Sequence, residues 1–93
     1  MKKKVYMVVC DLLQPEHDYS GLEAELKAYG KDRKKILHSA WLVKSNESAE
    51  EILAKFSPFL ADKDRCAVFE VARANWSARL PDFLTKVTLW MAY

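Results

Sequence analysis

The chain opens on an apolar run, Val5-Tyr6-Met7-Val8-Val9-Cys10, that stops abruptly at Asp11. Both alternating sets of side chains in it are apolar, the pattern of a strand covered on two faces instead of one lying half in water. A chain with such a strand must build a sheet around it and cover that sheet on both sides. The carboxylate at its mouth falls where open sheets tend to bind ligands, with rigid backbone behind it and a free loop ahead.

A chain of 93 residues has room for one core. A single domain over 1–93 is expected, with its core in 4–71 and a C-terminal extension over 72–93. No apolar stretch approaches the roughly 20 residues of a membrane-spanning helix, so no membrane partner is expected. The lysine-led start imitates a secretory leader. Its apolar part ends at Asp11 with no small-residue cleavage site after it, so the expected location is cytoplasmic.

Pro15 blocks both helix and central strand in the loop after Asp11. Ser20 and Glu23 form an S-x-x-E capping signature, Leu22, Leu26 and Tyr29 recur at helical spacing, and Gly30 follows as a stop. Residues 36–43 read as extended, with room for one long strand or for two short ones. Ser48 and Glu51 repeat the capping signature and open a second helix with Ile52, Leu53 and Phe56 on its buried side. Pro58 predicts a break near Ser57, and Asp62-Lys63-Asp64 a polar turn. Cys66 to Val71 reads as a further strand and Ala72 to Ser77 as a connection. In the tail, Phe83, Leu84, Val87, Trp90 and Met91 share a helical stripe, although Val87-Thr88-Leu89-Trp90 also suits a strand.

Helices alternating with strands in this order predict an α+β domain. Its compact form is the ferredoxin-like βαββαβ plait, one antiparallel sheet with helices on one face and an extra C-terminal element. The second sheet face then needs a cover, either a partner subunit or the terminal segment.

Cys10 and Cys66 lack metal-type spacing and lie in strand-like runs, so buried free thiols are expected. Net charge is only +2, but basic residues cluster at Lys2-Lys3-Lys4 and, in one loop, at Lys31, Arg33, Lys34 and Lys35. Either these are a solvated tail and turn, or they contact phosphates. His17 is a candidate base in the loop after Asp11, against a solvated loop histidine, and His38 reads as a packed or edge residue of a strand. Trp41 and Trp90 sit among apolar neighbours as core or interface residues, whereas Trp76, between Asn75 and Ser77, is the aromatic best suited to stack on a base.

Several of these segments, taken in order, resemble the small CRISPR-associated subunit of spacer acquisition, an endoribonuclease-like family, and its short bacterial and phage relatives. The resembling residues are Val8-Val9-Cys10-Asp11, Tyr29-Gly30, His38-Ser39-Ala40-Trp41, Ser48-Ala49-Glu50-Glu51-Ile52-Leu53 and Val68-Phe69-Glu70-Val71, with Ala74-Asn75-Trp76 similar to the shorter relatives. The resemblance implies a homodimer that contacts DNA or RNA, with an integrase-type protein as a further partner. It also implies a metal ligand and catalytic residue at Asp11, one from each subunit, holding Mg²⁺ or Mn²⁺. Lys31, Arg33, Lys34, Lys35, Ser39 and Trp76 would be the nucleic-acid contacts. The chain departs from the family after Asp11, where Leu12-Leu13-Gln14-Pro15 replaces a polar or basic stretch. On the residues alone, Asp11 fits a turn that accepts backbone amides equally well.

Overall fold

The computed structural model describes residues 3–72 and 90–91. In chain order these form β1 (Lys4–Asp11), α1 (Ser20–Lys27), β2 (Arg33–Leu37), β3 (Ala40–Ser45), α2 (Ala49–Phe56) and β4 (Arg65–Glu70). The strands make one sheet in the order β2-β3-β1-β4, and every neighbouring pair is antiparallel. Two βαβ units are thus interleaved, each leaving a gap that a strand of the other fills. This is the ferredoxin-like plait. Among the described residues no helix is long and apolar enough to cross a membrane.

β1 is central, and its alternation decides which side chain goes where. Tyr6, Val8 and Cys10 turn toward the helices and pack with Trp41 and Val43 of β3, Leu22 and Leu26 of α1, and Ile52 and Phe56 of α2. Phe56 is fully buried, and burying such a side chain contributes roughly 1.5–3 kcal/mol. The Tyr6 hydroxyl donates to the Glu47 carbonyl at 2.7 Å, which anchors the approach to α2 on the central strand.

Val5, on the opposite face, packs with Leu42 and Met91, flanked by Met7, Ile36, Val71 and Trp90. The terminal segment therefore contributes to the cover of the face opposite α1 and α2. Trp90 and Met91 are helical, and the indole of Trp90 donates to the Lys31 carbonyl at 2.7 Å. The remainder of the 81–91 expectation lies outside the described residues.

The two capping signatures behave differently. In α2 the Ser48 hydroxyl accepts from the Glu51 amide at 3.1 Å, and the Glu51 carboxylate accepts from the Ser48 amide at 3.0 Å. The expected box at Ser20 is absent. Tyr19 occupies the cap position with no side-chain bond, because Ser20 already lies inside the first turn. Asp18 serves that end instead, accepting from the Ser20 amide at 2.9 Å.

α1 also ends at Lys27, short of the expected Tyr29, and Gly30 adopts φ +56° to open a 3₁₀ turn over Gly30–Asp32. Pro58 breaks the chain into a second 3₁₀ turn, Ser57–Phe59. Its Phe59 ring lies so near Gly21 that a β-carbon there would fall 2.2 Å from it. Residues 34–44 hold two strands, joined by a turn at His38 and Ser39 and irregular in register between Lys35 and Leu37. His38 is therefore an exposed turn residue and not a strand residue.

Candidate functional site at the end of the central strand

Asp11 is the last residue of β1. It shares the face opposite α1 and α2 with Val5, Met7 and Val9 and stands directly opposite Arg65, the first residue of β4. Val9, Asp11, Arg65, Cys66, Ala67 and Phe69 line a shallow hollow of about 230 Å³. Phe69 is 55% exposed at its rim.

Asp11 does not act as the turn acid. Among the described residues no hydrogen bond or ion pair engages its carboxylate. That task falls to Asp64, which the sequence presents only as part of a polar turn. Asp64 accepts from the Leu13 amide at 2.8 Å, the Ala61 amide at 2.7 Å and the Tyr19 hydroxyl at 2.6 Å. Desolvation pushes its carboxyl up, but these three donors outweigh it and hold the group below its ordinary value. The loop leaving β1 is thereby tied to the loop entering β4, and Asp11 is left to solvent.

The sheet brings some of the expected site residues together and separates others. Ser39 lies at the same end as Asp11, since its carbonyl accepts from the Cys10 amide at 2.9 Å. Lys31 is exposed in the 3₁₀ turn before β2, and Arg33, Lys34 and Lys35 lie along β2, an edge strand. They do not form one patch. Lys34 pairs with Leu42 of the face opposite α1 and α2, whereas Lys35 places its ammonium 5.7 Å from the ring centre of Trp41 on the side of those helices. Arg33 is level with Val43 and Tyr6, so it lies two strands across from β1 (roughly 10 Å) and five residues back along it from Asp11, with Lys31 toward the start of β1; only a ligand that spans the sheet could meet both.

Trp41 is core, as its neighbours predict, and the Trp76 expectation lies outside the described residues. His17 stacks edge-on against Tyr19 with ring centres 4.7 Å apart. Its Nε2 lies 3.2 Å from the Phe59 carbonyl, to which it can only donate.

Cys10 and Cys66 are both free thiols, as expected, but only Cys10 is buried and Cys66 is half-buried. The sequence did not reveal that they face each other across β1 and β4, with sulfurs 3.0 Å apart. The hydrogen bond between them and burial push the Cys10 thiol up, and the same bond pulls Cys66 down.

Among the described residues no three His, Cys, Asp or Glu side chains converge as a metal centre. Asp11 offers a carboxylate at the strand end, which suits Mg²⁺ if further oxygens complete the ion's shell. No family model matches the chain, and no solved structure matches it. What the geometry defines is a small ferredoxin-like α+β domain with an exposed acid, unengaged among the described residues, at the tip of its central strand.

Proposed function

We propose that the chain is a homodimeric nucleic-acid-binding protein of the CRISPR-associated small-subunit type, in which Asp11 of each copy supplies a ligand for one shared Mg²⁺ or Mn²⁺. The observation that carries this reading is the position of Asp11, exposed at the end of the central strand with its carboxylate unengaged among the described residues. Two facing carboxylates repel unless a cation lies between them, so dimer and metal would support each other. A bound ion of this kind polarises a phosphate and makes water more acidic, the chemistry of phosphodiester cleavage. Around it, Arg65 and Ser39 flank the acid, while Lys31, Arg33, Lys34 and Lys35 contact backbone phosphates without reading sequence. Trp76 stacks on a base. An integrase-type protein is the further partner, and the setting is cytoplasmic, in keeping with two reduced thiols.

The decisive measurement pairs binding with cleavage. Affinity for generic single and double strands should fall linearly on a log–log plot against salt. Asp11→Ala should abolish metal-dependent cleavage while the sedimenting species stays a dimer. A flat salt plot removes the electrostatic model, and equal cleavage by the variant removes Asp11 from the chemistry.

A second reading has one observation of its own. Phe69 stands exposed beside Val9 and Ala67, an apolar surface suited to a protein. On this view the domain is a dimeric interaction module without catalysis, and sedimentation would be unchanged by added nucleic acid.

A further inference from the structure

We propose that Cys10 and Cys66 are a reversible redox pair that closes into an intramolecular disulfide by exchange with glutathione disulfide, cross-linking β1 to β4. The placement carries the inference. The two residues are direct partners in the antiparallel ladder, and their sulfurs lie 3.0 Å apart. The Cys10 amide points away from β4 and donates to the Ser39 carbonyl on the other side of β1. The bond between β1 and β4 runs instead through odd-numbered residues, as where the Val71 amide donates to the Val5 carbonyl at 2.8 Å.

Cys10 and Cys66 are therefore a non-hydrogen-bonded pair, the kind whose α-carbons approach to about 4.5 Å. That spacing falls within the range a disulfide spans without moving the backbone. The sulfurs need to close by only about 1 Å to reach bonding distance. Both side chains lie on the helix side of the sheet, so no other strand intervenes.

The chemistry balances with the named oxidant. The Cys66 thiolate, from the more exposed residue of the two, attacks one sulfur of glutathione disulfide and forms a mixed disulfide while one glutathione thiolate leaves. The Cys10 thiolate then attacks the Cys66 sulfur, the protein disulfide forms, and the second glutathione leaves. Two electrons pass from the cysteine sulfurs to the oxidant, and the two thiol protons end on two glutathione molecules. The link sits one residue from Asp11 on β1 and one from Arg65 on β4, so it ties together the strand ends that line the hollow. The inference does not depend on nucleic-acid binding.

The test equilibrates the whole chain with glutathione disulfide, alkylates with iodoacetamide under denaturing conditions, and weighs the product. Because the chain has only 2 cysteines, the readout is unambiguous. The expected result is loss of both alkylations and of the mass of two hydrogen atoms, as a monomer on a non-reducing gel, restored by dithiothreitol. Two alkylations that persist, a glutathione adduct that does not resolve, or a disulfide-linked dimer would each overturn the proposal. Cys66→Ala should never show the hydrogen loss, and its appearance there would assign the mass change to another residue and overturn the proposal too.

Discussion

The two faces of this sheet are made by the same strands and live in different surroundings. Toward the helices, Tyr6, Val8, Cys10, Trp41 and Val43 are sealed under α1 and α2. On the other side the cover is graded. Val5 and Leu42 are buried beside Met91, while Val9, Asp11, Arg65 and Phe69 line an open hollow at the far end of the same strands. Among the described residues, the face under α1 and α2 holds most of the core, and the other combines a buried end beside Met91 with an open hollow.

Substituting matched residues on the two faces tests that division. Phe56→Ala should lower stability by about 3–5 kcal/mol in urea unfolding, since it opens a cavity where nothing can collapse inward. Phe69→Ala, more than half exposed, should stay within about 0.5 kcal/mol. Equal losses would mean that the face bearing Phe69 is as much a part of the core as the one under α1 and α2.

A smaller contrast sits at the helix starts on the covered side. Ser48→Ala breaks a complete capping box and should cost about 1 kcal/mol in the same measurement. Ser20→Ala removes a hydroxyl that bonds the exposed Asp18 and caps no helix amide, and should change stability by less than about 0.5 kcal/mol.

The smallest effect is a slope. Asp64 is held below its ordinary value of 3.8 by its donors, so its contribution is present above that pH. The contribution disappears as pH falls below 3.8 through the lower folded value. Asp64→Asn should flatten that acid limb of the urea midpoint against pH, and an unchanged limb would remove Asp64 as the anchor of the two loops.

Much of the fold was legible because each strand and helix carries its own local signal. The run from Val5 to Cys10, the Ser48 box, Gly30 and Pro58 all specify backbone choices made by neighbouring residues. Ser20 misled for the same local reason. An S-x-x-E pattern does not say which residue is the cap, and Asp18 two positions earlier was the better acceptor.

The site was less legible because it depends on register. Nothing within residues 62–64 shows that Asp64 will capture Leu13, Tyr19 and Ala61, and so relieve Asp11 of a turn acid's duty. The Lys31–Lys35 cluster looked like one patch in sequence, yet strand alternation sends Lys34 and Lys35 to opposite faces. The meeting of Cys10 with Cys66 is likewise a property of strand pairing across a separation of 56 residues.

The alternation of β1 has a mechanical corollary for that exposed acid. A slip of one residue would roll the whole strand over, sending Tyr6, Val8 and Cys10 to the opposite face and Asp11 beneath the helices. The carboxylate cannot drift to the wrong side by degrees; it would have to drag three buried neighbours out with it. Packing on the hidden side therefore works as a ratchet that fixes the handedness of the open one.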